Sequence, residues 1–88
     1  MSVSSVEEVK AGVARFGDEV GQQVGAIRAS AEALSSSGAA LRAITSGSSH
    51  SQVAETIAKV EQAKQKLAEA AALAQSAIES SRGYAASF

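Results

Sequence analysis

A chain of 88 residues makes at most one small domain. Its formal charge of −1, with acids and bases mixed through both halves, argues against the basic face of a nucleic-acid binder or of a basic amphipathic membrane helix. With no cysteine there is no disulfide framework and no thiolate chemistry.

The start, Met1-Ser2-Val3-Ser4-Ser5, lacks the basic and apolar regions of a signal peptide. Either a cytoplasmic protein or one exported without an ordinary signal peptide is expected. Ser4 or Ser5 should cap a first helix, because Ser4-Ser5-Val6-Glu7 and Ser5-Val6-Glu7-Glu8 both match the capping box. An apolar stripe then runs Val6, Val9, Val13, Phe16, Val20, Val24, Ile27, Ala31, Leu34, Gly38, Leu41. Its steps alternate three and four residues, which predicts a long helix with a coiled-coil-like seam over about 5–45. The consecutive fours around Val20 predict local unwinding of the supercoil there. Arg15 with Glu19, and Arg28 with Glu32, stand at (i, i+4) on the wet side.

Ser35-Ser36-Ser37-Gly38 weakens this helix, since all four are poor helix formers. The stripe nevertheless passes through them in phase, from Leu34 to Gly38 to Leu41. A continuous helix is therefore the reading, with a break here as its rival.

Thr45-Ser46-Gly47-Ser48-Ser49-His50-Ser51 organises the chain. Gly47 is a natural helix stop, because glycine tolerates the left-handed conformation. The turn is placed at about 46–50. Ser49-His50-Ser51-Gln52 offers a capping box for a second helix over about 51–86. Its stripe is Val53, Ile57, Val60, Lys64, Leu67, Ala71, Ala74, Ile78, Ala85, with Lys64 at the edge. Glu55 with Lys59 decorates the outside, and Arg82 suits the negative end of the helix dipole. The predicted fold is all-α: an antiparallel two-helix hairpin, coiled-coil-like, forming one unit over 1–88.

Alanine supplies about half of the apolar residues. Burial returns roughly 25 cal/mol per Å², while ordering costs roughly 1.5 kcal/mol per residue. Two such helices should be marginal alone, and assembly into a larger bundle would help. The longest strongly apolar run, Ala70 to Ala74, is far short of the ~20 residues that span a bilayer.

Catalysis finds no foothold. His50 is the only histidine and lies in a serine-rich turn, with no acid nearby to orient it. Glu7/Glu8 and Asp18/Glu19 are sequence neighbours that diverge around a helix. No clustered ligands suggest a metal, and no cofactor is implied. The expectation is a non-enzymatic protein.

Two features instead suggest contact with a partner, either a second copy or another helical protein. Gly17, Gly21 and Gly25, continued by Ala29 and Ala33, put small residues at every fourth position, where another helix could approach closely. Gly17 borders the main stripe, so an added methyl there is expected to overpack. Gly21 and Gly25 drift toward the opposite side. Gly21 is expected at the interface, so that its methyl weakens association, whereas alanine at Gly25 should stabilise the helix. The other feature is Leu73, Ala77, Tyr84 and Phe88, which form a row roughly 80–140° from the second stripe. A hairpin has no second neighbour to cover them, and the row holds two of the three aromatics.

In size, helical character, lack of cysteine and central turn the chain resembles the WXG100 family. Gly47 stands as the glycine of the family's Trp-X-Gly, with Thr45 at the tryptophan position. Tyr84 stands where the C-terminal Tyr-X-X-X-Asp/Glu export motif begins, with Phe88 at its acidic position. The resemblance implies a helical hairpin that pairs into a four-helix dimer. It also implies a small partner, adaptor or substrate of a bacterial type VII-like secretion system. The other reading of the residues is a self-assembling structural subunit that forms a bundle or filament.

Overall fold

Each helix starts where the local chemistry supplies a cap. The computed structural model describes residues 5–88. Ser5 is the N-cap of α1, which runs Val6–Ile44. The Ser5 hydroxyl accepts from the Glu8 N–H at 3.1 Å, and the Glu8 carboxylate accepts from the Ser5 N–H at 3.3 Å. The capping box therefore uses the second of the two serine registers; Ser4 lies outside the described residues. Its reciprocal bonds satisfy two N–H groups that the first turn leaves without helical partners.

The α1 helix continues without interruption through Ser35–Gly38. Helix propensity disfavours that stretch, but tertiary packing overrides it. Gly38 is buried, and its Cα lies so close to α2 that an added Cβ would stand 3.3 Å from Val60 Cγ1.

The helix ends at Thr45, whose N–H and hydroxyl both donate to the Leu41 carbonyl, at 2.9 and 2.7 Å. The Ser48 N–H donates to the Thr45 carbonyl at 2.9 Å and closes a tight turn. Gly47 sits in that turn at φ +85°, a conformation that strains any residue with a Cβ.

The α2 helix runs Ser51–Ala86. Its cap is His50, not the Ser49 of the predicted box. The His50 Nδ1 accepts from the Gln52 N–H at 3.1 Å, the same donor that Ser49 would have used. Ser48 in turn accepts from the His50 N–H at 3.3 Å. Because α2 starts at Ser51, His50 rather than Ser49 stands at the N-cap, two residues from the donor it takes.

The two helices lie antiparallel along their lengths and form a body of 67 × 22 × 15 Å. Its radius of gyration is 20.0 Å, against about 12 Å for a compact chain of this length. The interface follows the two apolar stripes. Val24, Ala71 and Ile78 are buried, while Val13, Val20, Ile27, Leu34, Leu41, Val53, Ile57, Val60 and Leu67 are half-buried. Ser81 joins the second stripe and fills the seven-residue gap between Ile78 and Ala85.

Among the described residues no helix is long and apolar enough to cross a membrane. Of the helical ion pairs predicted from spacing, Glu55–Lys59 closes at 3.3 Å. Arg15–Glu19 and Arg28–Glu32 do not come within ion-pair distance. Arg82 is not in the last turn of α2; its guanidinium reaches back over Gly17.

Candidate partner-binding surface

A hairpin has two broad sides, and helical geometry assigns each residue to one of them. At 100° per residue, Lys10, Arg28 and Arg42 fall on one flank of the α1 stripe, and Phe16, Leu34 and Leu41 lean to the other. On α2, Glu61, Ala68 and Arg82 take one flank, and Leu73, Ala77 and Tyr84 the other.

One ion pair and two shared grooves between the helices join the flanks. Arg42 meets Glu61 at 3.9 Å. Lys10 and Asp18 share a shallow groove with Arg82. Arg28 shares another with Leu67 and Ala68. These residues make one broad side charged. The opposite side carries Phe16, Leu34, Leu41, Leu73, Ala77 and Tyr84, with Glu19, Lys59 and Lys66 among them.

The apolar side is largely uncovered. Leu73 is 74% exposed and Tyr84 57%. Phe88 follows Tyr84, and the two rings meet edge to face with centroids 5.1 Å apart. That geometry aligns a positive ring edge with a negative face and holds the final residue against the helix. Ile44, at the hinge end, is 82% exposed. Of the predicted row, Tyr84 and Phe88 meet, and Leu73 and Ala77 stand exposed on the same helix.

Surface area gives the scale. The hairpin exposes 6220 Å², whereas a compact monomer of 8.8 kDa exposes about 4,800 Å². The excess is about 1,400 Å², more than the ~800 Å² that each partner buries in a standard interface.

The glycines divide between the two settings. Gly17 is buried inside the hairpin, where an added Cβ would lie 3.6 Å from Ile78 Cγ2 and 3.8 Å from the Arg82 guanidinium. Gly17 therefore belongs to the contact between α1 and α2, and a methyl there meets ordinary van der Waals distances. The overpacking expected at Gly17 falls at Gly38 instead, where an added Cβ would stand 3.3 Å from Val60 Cγ1. Gly21 and Gly25 are exposed, and an added Cβ at either would meet nothing within 4 Å.

The chain matches no protein-family model, no curated protein and no solved structure. The architecture itself, two long helices joined by a central turn, is consistent in shape with the WXG100 hairpin. Among the described residues no group of three or more acids, histidines or cysteines could hold a metal ion. His50 lies at the mouth of a groove with Arg42 and Thr45, but its Nδ1 is occupied by the helix cap.

Sequence reasoning found the apolar row and missed what shares its side. The signal for Phe16 was present, since it lies at the edge of its stripe. Knowing which flank of α1 adjoins which flank of α2 requires cross-helix contacts such as Arg42–Glu61.

Proposed function

We propose that this protein is a non-enzymatic association module that works by burying the apolar side of its hairpin against another helical surface. The observation that carries the reading is the exposure of Leu73, Tyr84, Phe88 and Ile44 on an elongated body with few buried side chains. Apolar surface of this extent, displayed in helical register, fits helix-in-groove or bundle recognition.

In biological terms the proposed role is a small partner, adaptor or substrate in a type VII-like secretion system. Support comes from the hairpin shape, the central Gly47 turn and the position of Tyr84 near the C-terminal end. Thr45 in place of a tryptophan and Phe88 in place of an acid are the departures from that pattern.

The test is the double substitution Leu73→Ser with Tyr84→Ser, followed by molar mass in solution and far-UV circular dichroism. Association should weaken more than helicity. The unsubstituted protein should melt at a temperature that rises with its concentration, as for any assembly that stabilises its folded subunits. A well-folded monomer with a concentration-independent melting temperature would refute self-association. Large purified assemblies would favour the structural-subunit reading over the adaptor.

A further inference from the structure

The two helices start on acceptors of different chemistry. At the start of α1 the acceptor is the Ser5 hydroxyl, which keeps its lone pairs at any ordinary pH. At the start of α2 it is His50 Nδ1, 3.1 Å from the Gln52 nitrogen. A ring nitrogen accepts a hydrogen bond only while it carries no proton. Imidazoles take up that proton between about pH 5 and 8. Both ring nitrogens are then donors, and two N–H groups would face each other across the 3.1 Å gap.

The backbone of His50 is tied on both sides of the ring. Its N–H donates to Ser48 Oγ at 3.3 Å, and its carbonyl accepts from the Val53 N–H at 3.0 Å. A protonated ring therefore turns away about its own side-chain bonds and leaves the Gln52 N–H to water.

The charges around the ring oppose a proton. The first turn of α2 holds no acid, and the start of a helix is the positive end of its dipole. From α1, Arg42 lines the same groove as His50, and no carboxylate lines it among the described residues. Arg42 meets Glu61 at 3.9 Å, but Glu61 lies about 16 Å further along α2. Glu55, on the second turn of α2, pairs with Lys59 at 3.3 Å.

We propose that His50 makes the hinge acid-sensitive: the neutral imidazole closes the start of α2, and the imidazolium releases it. This property belongs to the hinge and is independent of association. Its direction follows from what each state loses. The unfolded chain has no cap and takes the proton freely. The folded hairpin gives up a hydrogen bond and gains a cation at the positive end of α2. The stability that the cap contributes is thus full above the imidazole range and lost as the pH falls through it. The released turn carries Val53, half-buried against α1, so loosening begins at the hinge end of the helix contact.

His50 is the only histidine, which separates its titration from those of the carboxylates. The experiment compares urea midpoints at about pH 7.5 and about pH 5.5. It uses the unsubstituted protein and His50→Asn at one protein concentration. Asparagine caps a helix well and does not titrate, so His50→Asn keeps the cap and the terminal amine and removes the imidazole proton alone. Acidification should lower the folding equilibrium constant of the unsubstituted protein about fivefold and leave that of His50→Asn in place. In isotope-labelled protein the Gln52 amide resonance should move together with the imidazole resonances as the pH is lowered. A midpoint that does not fall, or that falls equally in His50→Asn, overturns the proposal. A Gln52 amide indifferent to the protonation of the ring overturns it as well.

Discussion

Alanine at Gly38 and alanine at Gly17 should change stability in opposite directions. Both glycines are buried in the middle of one helix, and both gain about 1 kcal/mol of helix propensity on replacement by alanine. They differ in what the new methyl meets. At Gly17 the nearest atoms are Ile78 Cγ2 at 3.6 Å and the end of the Arg82 side chain at 3.8 Å, so the methyl adds contact without displacing anything. At Gly38 it meets Val60 Cγ1 at 3.3 Å. Valine in a helix is held to one strongly preferred rotamer, so Val60 cannot swing aside, and the two backbones must part instead. Overpacking of this kind costs about 1–3 kcal/mol.

The net expectation is a gain of about 1 kcal/mol at Gly17 and a loss of up to about 2 kcal/mol at Gly38. For a chain of this size each kcal/mol moves the melting temperature by roughly 4–8 °C. The assay is a urea midpoint for each variant at several protein concentrations, with the slope monitored to confirm that the unfolding transition is unchanged. Equal stabilisation by the two substitutions would refute the reasoning, because it would mean that α2 gives way at Val60 without cost.

The helix starts give two further predictions. Ser5→Ala removes one half of the capping box and should cost about 0.5–2 kcal/mol, read as a lowered urea midpoint with unchanged helix content well below the transition. His50→Asp should raise the midpoint: aspartate caps well, and it adds a negative charge to a helix whose first turn has no acid, worth about 0.3–1 kcal/mol, whereas an unchanged midpoint would show that the imidazole already caps as well.

Much of the hairpin was legible because periodicity, caps and the turn residue all agree. Val24, Ala71 and Ile78, the buried apolar residues, all stand on the stripes read from spacing. Gly47 adopts the positive φ that its identity suggested. What escaped the sequence depends on relations between the helices. Spacing puts Gly38 on the stripe and Gly17 at its border, but it does not show that a methyl is tolerated at one and crowded at the other, which turns on a few tenths of an ångström in the distance to α2. The Ser49-His50-Ser51-Gln52 spacing matches a box capped by Ser49, but α2 starts one residue later, so His50 takes the Gln52 N–H instead. Likewise Arg15 and Arg28 have acids at the right spacing, yet exposed pairs gain too little to fix long side chains in one geometry.

The thinness of the α1–α2 contact has a consequence of its own. Each side chain touches those level with it and few others, so the hairpin resembles a ladder whose rungs are nearly independent. In such a quasi-linear body stability accumulates rung by rung, and a disturbance stays where it is made. Deleting one heptad from each helix at matching levels would shorten the ladder by about 10 Å and leave the remaining rungs in register. Length, and with it the reach between the Gly47 turn and the paired helix ends, is the quantity this architecture can vary most freely.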